Sequence, residues 1–252
     1  MEGELDRMKD ETGFNTLDTI SGAGRFNEWM ASTLMPWCRG EILEIGGGIG
    51  NISRVFLEKG YSLTVTELRE AYCDLLKQQV GKMNSLREIL QMDITDPAFN
   101  EKFGHLSGKF DTVFALNVLE HIVDRETAVR NCRALLKTEG TLIILVPAFQ
   151  SLFNRFDAEL GHHLRFTQGK LSGLLNRNGF RVLHRQFFNS AGIAGWWFAG
   201  SIMRKKMIPE GSMRLYNLMV PLFRILDQIT HRFVGLSIIQ VGIKTGEAIP
   251  ES

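Results

Sequence analysis

The sequence predicts an α/β protein whose strands form an open, mostly parallel sheet. Three observations lead to this fold class. Between residues 41 and 147, five apolar segments of strand length alternate with segments of helical periodicity. The first of these strands, 41–45, runs directly into the glycine-rich turn Gly-Gly-Gly-Ile-Gly at 46–50. The second strand, 61–66, is followed at once by an acidic residue, Glu67.

Composition places the chain among ordinary globular proteins and narrows its partners. Its 252 residues, 44% hydrophobic and 23% charged, suffice for one large α/β domain. The 29 basic and 28 acidic residues leave a net charge of +1, so we expect no nucleic acid partner. The cysteines Cys38, Cys73 and Cys132 form no C-x-x-C pair, and the charged segment 1–11 has no apolar signal core. We therefore expect a reduced, cytoplasmic protein.

The glycine turn joins the first strand to a helix. Glycine suits this place because a strand end and a helix N-terminus can both approach a ligand closely only where Cβ atoms are missing. A dinucleotide fingerprint, G-x-G-x-x-G, would need its third glycine at position 51, where the chain has Asn51. The observed spacing is instead Glu44-x-Gly46-x-Gly48-x-Gly50.

This spacing resembles motif I of the class I S-adenosylmethionine-dependent methyltransferases. The resemblance implies that Glu44, Gly46, Gly48 and Gly50 surround the amino-acid end of the cofactor. Glu67 stands where a nucleotide-binding α/β fold places the carboxylate that accepts hydrogen bonds from both ribose hydroxyls. A purely structural glycine loop and a solvent-exposed acid are the alternative interpretations.

Strands three and four end in further candidate residues. The third strand leads to Asp93 and Ile94, which the resemblance places at the adenine amino group and against the adenine ring. Alternatively, Asp93 caps the turn that follows it, because Asp before Thr95 is favoured in turns. The fourth strand, 110–117, leads into the string Asn-Val-Leu-Glu-His-Ile, which resembles the segment after strand four in the same superfamily. By that resemblance Asn117 faces the cofactor and His121 lies near the methyl-donor site, although a structural role for this histidine is open.

The segment after the fifth strand carries a second string, D-x-x-L-G-H-x-x-R-F, which resembles a bacterial small-molecule or lipid-type branch of these methyltransferases. We expect it to form the acceptor wall. His162 and Asp157 would handle protons, and His163, Arg165 and Phe166 would contact the acceptor. Zinc is a rival use of adjacent histidines, but no cysteine or third histidine stands at ligand spacing. A catechol-type metal site would need carboxylates at matched strand ends, and Asp93, Asn117 and Glu120 are not a convincing set, so no metal site is predicted. A solvated loop is the other alternative. The matching residues are Asp157, Leu160, Gly161, His162, Arg165 and Phe166.

Two aromatic segments are candidates for contact with the acceptor. Residues 1–40 are predicted to form an N-terminal helical cap that includes Trp29, either as a lid over the cofactor or packed on the sheet edge. The segment 189–206 carries Trp196 and ends in three basic residues, 204–206. It is too short for a confident membrane span, which needs about 20 apolar residues. A hydrophobic helix at the pocket mouth is favoured over peripheral membrane contact.

The resemblance extends the strand pattern to a Rossmann-like, doubly wound sheet of seven strands. It implies the order 3-2-1-4-5-7-6, with strand 7 antiparallel. Strand six is predicted at 180–188 and the last strand at 236–243, with a helical insertion at 189–233 between them. We expect a single domain over 1–252, made of the cap at 1–40, a cofactor-binding core at 41–147 and a substrate-side half at 148–252.

The function that follows is methyl transfer. The resemblance implies S-adenosylmethionine as cofactor and S-adenosylhomocysteine as product. The apolar, aromatic second half argues for a hydrophobic or amphipathic small-molecule acceptor, methylated at oxygen as the first choice, with nitrogen and carbon open. Two alternatives remain: a nicotinamide-dependent oxidoreductase on the same fold, and a non-catalytic cofactor-binding or membrane-surface protein. The sequence leaves the oligomeric state open.

Overall fold

The computed structural model describes the backbone of residues 2–198 and 210–246, and the side chains of 12–198, 211 and 213–246. Within these ranges the chain forms a seven-stranded sheet of order β3-β2-β1-β4-β5-β7-β6, which confirms the predicted order. The strands are β1 (Ile42–Ile45), β2 (Leu63–Glu67), β3 (Leu86–Gln91), β4 (Phe110–Leu116), β5 (Leu136–Pro147), β6 (Phe180–Phe188) and β7 (Ser237–Lys244).

The strand directions also agree with the prediction. β1 pairs in parallel with β2 and with β4, and the next pairs on either side, β2–β3 and β4–β5, are parallel as well. β7 runs antiparallel to both β5 and β6. The chain leaves β1 and β4 toward opposite edges of the sheet. The crevice between their carboxyl ends is therefore the switch point at which such sheets bind ligands.

Helices cover both faces of the sheet. One core lies between the sheet and α6 and α8, and a second lies between the sheet and α2, α3, α4 and α10. The helices in the described residues are α1 (Glu2–Ser21), α2 (Gly24–Leu34), α3 (Asn51–Glu58), α4 (Glu70–Val80), α5 (Phe99–Phe103), α6 (Arg125–Leu135), α7 (Arg155–Glu159), α8 (Gln168–Arg177), α9 (Gly192–Trp197) and α10 (Glu210–Thr230).

The two cores explain the apolar run of the fifth strand. Leu142 and Ile144 belong to the core beneath α6 and α8, whereas Ile143 and Leu145 belong to the core on the opposite face. All four side chains are almost fully buried. A strand covered on both faces has no solvent side, so it has no polar alternation.

The N-terminal helices lie close to the glycine turn. α1 ends and α2 begins around the predicted break at 21–24. The carbonyl oxygen of Leu17 in α1 accepts a hydrogen bond of 2.9 Å from Nδ2 of Asn51, the first residue of α3. The rings of Phe14 and Tyr72 lie 6.4 Å apart, which brings α1 against α4 as well. α1 therefore covers the side of the turn that joins β1 to α3.

The second half contains the predicted helical insertion. α9 and α10 lie between β6 and β7 along the chain. Part of the segment 189–206, from residue 199 onward, lies outside the described residues. Among the helices of 2–198 and 210–246, none combines the length and apolar composition that a membrane crossing requires.

Candidate active site

The glycine turn depends on backbone conformations that favour glycine. Gly46, Gly48 and Gly50 have φ values of +73°, +57° and +91°, in the left-handed region. A Cβ on Gly46 would lie 2.6 Å from Cγ2 of Val118, and one on Gly48 would lie 3.2 Å from Cδ1 of Leu17. The turn therefore places bare backbone between the end of β4 and helix α1.

Glu67 is fixed against this turn. It is the last residue of β2, and its side chain is buried. Its Oε2 accepts a hydrogen bond of 2.9 Å from the backbone N–H of Gly48. Its Oε1 accepts from the N–H groups of Leu68 and Arg69, at 2.8 and 3.1 Å. A carboxylate has about four acceptor positions, so this one is oriented by the backbone and keeps capacity for a ligand hydroxyl.

Glu44 lies beneath the turn, inside β1. It is 3% exposed and accepts a hydrogen bond from the hydroxyl of Ser53 in α3. Burial raises the pKa of Glu44 to about 7; the bond from Ser53 opposes this shift and the nearby charge of Glu67 adds to it. An ammonium group bound at the turn would favour the charged form of this carboxyl.

The other predicted cofactor residues lie at the carboxyl ends of β3 and β4. Asp93 is exposed, and its Oδ1 accepts hydrogen bonds from the backbone N–H and the hydroxyl of Thr95, both at 2.7 Å. Ile94 is buried in the core. Asn117 is exposed with φ +54°, and its N–H donates to the carbonyl of Leu145. Asp93 thus has the turn-forming contacts that the alternative interpretation required.

A second group of residues surrounds Asp157, which is fully buried. Its Oδ1 accepts hydrogen bonds from Nδ1 of His162 at 2.8 Å and from Nε of Arg165 at 2.9 Å. Its Oδ2 accepts from the backbone N–H of Asn154 at 3.0 Å. Burial alone would raise the pKa of Asp157, but the bond to His162 and the charge of Arg165 outweigh burial and lower it. Asp157 is therefore an ionised anchor that orients His162.

The structure does not support Arg165 as an acceptor contact. This side chain is 2% exposed. Besides its pair with Asp157, it donates from Nη1 to the carbonyl of Ala148 at 3.1 Å, and its guanidinium lies 4.8 Å from the ring centre of Trp196. The arginine in the string therefore holds the segment together, and Trp196 is its packing partner.

Other predicted acceptor residues are also dispersed. Trp29 is buried on the opposite face of the sheet, where its ring lies 4.6 Å from that of Phe188. Phe166 is buried in the core beneath α6 and α8. His163 is exposed, and its backbone N–H donates to the carbonyl of Glu120. Only His163 keeps an exposed side chain among these three; the two aromatic residues stabilise the fold.

His121 and His162 come together from two different segments. His121 ends a short 3₁₀ turn, Leu119–His121, just after β4. Its ring lies edge-on to that of His162, with 4.7 Å between ring centres. Packing around the His121 ring and the neighbouring His162 lower the pKa of His121 to about 4, although the residue retains exposed surface. This histidine is therefore neutral near pH 7.

Glu120 is a functional candidate that the sequence interpretation considered as a metal ligand and set aside. It is fully buried beside the two histidines, and neither carboxylate oxygen has a hydrogen-bond partner among the described residues. Burial raises its pKa to about 8, against the opposing charges of Arg165 and Arg125. The available signal was its place in the string Asn-Val-Leu-Glu-His-Ile, directly before His121.

The comparisons with known proteins agree with this geometry. A family described as "Methyltransferase domain" matches residues 43–142. The fold resembles that of a SAM-dependent methyltransferase from Archaeoglobus fulgidus, with a TM-score of 0.56 and 19% identity over 86% of this chain and 94% of that one. Residues 43–142 therefore correspond to a methyltransferase domain.

Two further relatives match either part of the sequence or the fold. A ubiquinone biosynthesis O-methyltransferase from Xanthomonas campestris is 30% identical over 114 residues, which are 45% of each chain. The match thus spans a little under half of that curated relative. A Burkholderia thailandensis 1,6-didemethyltoxoflavin-N1-methyltransferase, solved with S-adenosylhomocysteine, has a TM-score of 0.55 and 18% identity over 97% of this chain and 89% of its own. At this identity the likeness shows the fold.

The methyltransferase domain fits S-adenosylmethionine as its cofactor. A Cβ at Gly46 would meet Val118 and one at Gly48 would meet Leu17, so the turn has room only for bare backbone. The buried Glu67 carboxylate faces this turn, where ribose hydroxyls need acceptors. The position of the third dinucleotide glycine is Asn51, whose side chain is bonded to Leu17. The nicotinamide alternative therefore lacks its fingerprint.

Proposed function

We propose that the protein transfers a methyl group from S-adenosylmethionine to an oxygen of a hydrophobic or amphipathic small molecule. The observation that carries the proposal is the Glu67 carboxylate held on the glycine turn. It is supported by the contact between His121, which follows β4, and His162. Oxygen as the target follows the curated relatives, which are named as O-methyltransferases.

The residues at the turn would hold the donor. Glu67 would accept hydrogen bonds from the ribose hydroxyls. The carboxylate of Glu44 would attract the ammonium group of the cofactor, and Gly46 and Gly48 would leave space for its amino-acid end. When bound, S-adenosylmethionine supplies a methyl carbon that its sulfonium has already activated. What remains for the protein is to align the acceptor oxygen, exclude water and remove one proton.

The histidine pair is suited to the acceptor side. Val118 lies where a Cβ on Gly46 would point, so the residues that follow it would border the donor cradle. Nδ1 of His162 is engaged by Asp157, which leaves Nε2 for an acceptor hydroxyl and its proton. Asp157 acts through His162, so it is a positioning residue and not a catalytic one.

The surface of helix α10 favours a lipid-soluble molecule as the methyl acceptor. One face packs into the core through Val220 and Phe223. A second stripe at helical spacing is apolar and more than half exposed in each of its members. Exposed apolar stripes of this kind mark interaction surfaces. The stripe consists of Leu215, Leu218, Leu222, Ile225 and Ile229.

The charges around the stripe favour an anionic lipid surface over a protein groove. Arg214, Arg224 and Arg232 are exposed along this segment. The acid within 211–233, Asp227, is buried and accepts hydrogen bonds from backbone N–H groups. Apolar residues flanked by cations bind membrane interfaces. We therefore propose a cytoplasmic protein that touches the membrane through α10, with the basic run at 204–206 nearby in sequence.

The direct test is methyl transfer to defined acceptors. The protein is incubated with S-adenosylmethionine labelled in its methyl group and with prenylated catechols or their chain-free analogues. We expect label in the prenylated hydroxyl compounds, and a loss of about 100-fold for His162→Ala. His105→Ala, an exposed histidine on another loop, is the control. Absence of label in every acceptor tested, or an unaffected His162→Ala, would refute the proposal.

A further inference from the structure

Three potential metal ligands meet beside the donor cradle. Glu120, His121 and His162 each offer one ligand atom, and these atoms all lie within 4.8 Å of one another. Two of the residues follow β4 and the third follows α7, so spacing in the sequence did not reveal them together. No metal site is predicted from the sequence, because no cysteine or third histidine stands at ligand spacing and because Asp93, Asn117 and Glu120 are not a convincing set of ligands. The third ligand here is a carboxylate.

One of the two histidines already has a ring nitrogen oriented by the surrounding protein. Nδ1 of His162 is hydrogen-bonded to Asp157 at 2.8 Å. The ring of His121 lies near the backbone of Gly161. Histidine ligands of metals characteristically donate their second N–H to a carboxylate or a backbone carbonyl, which fixes the ring. Arg165 in turn fixes Asp157.

Glu120 supplies the independent observation. Both of its carboxylate oxygens are buried and lack a hydrogen-bond partner among the described residues. A buried carboxyl group in this condition is costly, and most buried polar groups have partners. Arg125 and Arg165 are near enough to influence it, but neither forms a hydrogen bond with it in the described structure. A cation between Glu120 and the histidines would satisfy the orphaned oxygens.

We propose that Glu120, His121 and His162 bind one divalent transition-metal ion, such as Zn²⁺ or Co²⁺. Two imidazoles and one carboxylate suit these ions, whereas Mg²⁺ and Ca²⁺ prefer oxygen ligands alone. Bonds of about 2.1 Å in a tetrahedral site separate ligand atoms by about 3.4 Å. The widest pair therefore needs to close by little more than about 1 Å, which rotation of the exposed His121 provides.

Such an ion has a role at this place in the fold. Three protein ligands leave an open position, and a hydroxyl bound there would lose its proton to solvent water more readily. In that case Nε2 of His162 carries the metal, and the acceptor hydroxyl is activated by the ion. This role rests on the proposed methyl transfer, but binding of the ion does not. The two are tested separately by measuring binding without a methyl donor.

The experiment is a metal titration of the full-length protein. After treatment with a chelator, the protein is titrated with Zn²⁺ by calorimetry and with Co²⁺ by visible absorption, which reports the coordination geometry. We expect one ion per chain and an absorption band of nitrogen and oxygen coordination. His162→Ala and Glu120→Gln should each weaken binding by at least about 10-fold. His163→Ala removes an adjacent histidine outside the cluster and should bind as the wild type does.

His121→Ala keeps the test decisive if a buried variant does not fold. His121 is exposed, so its removal should lower affinity by a similar factor while circular dichroism and the melting temperature stay unchanged. Absence of binding by the wild type, or equal loss in His163→Ala, would overturn the proposal. If the wild type binds the ion but transfers no methyl group, the metal site stands and the proposed function fails.

Discussion

The Glu67 carboxylate accepts a hydrogen bond of 2.9 Å from the backbone N–H of Gly48. This bond joins the end of β2 to the turn after β1, at the centre of the sheet. The N–H groups of Leu68 and Arg69 hold the other carboxylate oxygen. The acid is therefore oriented before a cofactor arrives, which lowers the cost of ordering it on binding.

Glu67→Gln should weaken the binding of S-adenosylhomocysteine by about 10-fold to 100-fold. The amide keeps one acceptor but turns an NH₂ group toward backbone donors, and hydrogen bonds to charged groups contribute about 1.5–3 kcal/mol. Titration calorimetry measures the change. Glu70→Gln, at an exposed position in the first turn of α4, is the matched control. Equal affinity of Glu67→Gln and the wild type would contradict the assignment.

Glu44 should make the wild-type protein less stable as the pH rises. Its pKa is about 4.5 when unfolded and about 7 in the buried site. Between these values the folded state holds a proton that the unfolded state has lost, so stability falls with rising pH and then levels off. The total loss in the free energy of unfolding is roughly 3 kcal/mol, since each unit of pKa shift corresponds to about 1.36 kcal/mol.

Glu44→Gln, which cannot ionise, isolates this effect. Urea unfolding of both proteins at pH 5, 6, 7 and 8 gives the difference in the free energy of unfolding. As the pH rises, we expect the free energy of unfolding of the wild type to fall relative to that of the variant, because only the wild type loses the contribution of Glu44. Parallel curves over this range would show that Glu44 does not titrate with a raised pKa.

Asp157→Asn should destabilise the protein by about 3–5 kcal/mol, because it leaves the buried Arg165 without its counter-charge. Asp74→Asn removes the exposed partner of Lys77 and should change the free energy of unfolding far less, because solvent screens exposed ion pairs. Urea unfolding compares the two variants. A small effect at Asp157 would mean that it is not the anchor of the segment that carries His162.

The double variant Leu218→Ser, Leu222→Ser should reduce binding to anionic vesicles. Both side chains are more than half exposed, so stability should change little while the apolar area available to lipid falls. Co-flotation with phosphatidylcholine vesicles, with and without phosphatidylglycerol, measures binding. Gln228→Ser, an exposed polar position on α10, is the control. Vesicle binding that is equal in both variants would exclude the stripe as the contact.

The cofactor half of the site could be predicted from the sequence because its determinants are local. Gly46, Gly48 and Gly50 are required by the turn itself, and Glu67 follows from its place at a strand end. The same logic fixes the sheet, since β5 has the continuous apolar run of a strand buried on both faces.

The acceptor half could not be predicted in this way. Helical periodicity shows that Trp29 is buried but not on which face of the sheet, and it lies against Phe188. The charge of Arg165 suggested a ligand contact, yet its partner Asp157 stands eight residues earlier in the same segment. The meeting of Glu120 with His162 depends on how the segment after β5 folds back over the end of β4.

Binding of S-adenosylhomocysteine and of NAD to the wild type, Gly48→Ala and Gly60→Ala tests the central claim most directly. Both glycines have positive φ, but a Cβ on Gly48 meets Leu17 at the turn while one on Gly60 meets nothing within 4 Å. We predict that the wild type binds S-adenosylhomocysteine and not NAD, that Gly48→Ala weakens binding at least about 10-fold, and that Gly60→Ala stays within about twofold. Binding of NAD in place of S-adenosylhomocysteine, or of neither, would contradict the account.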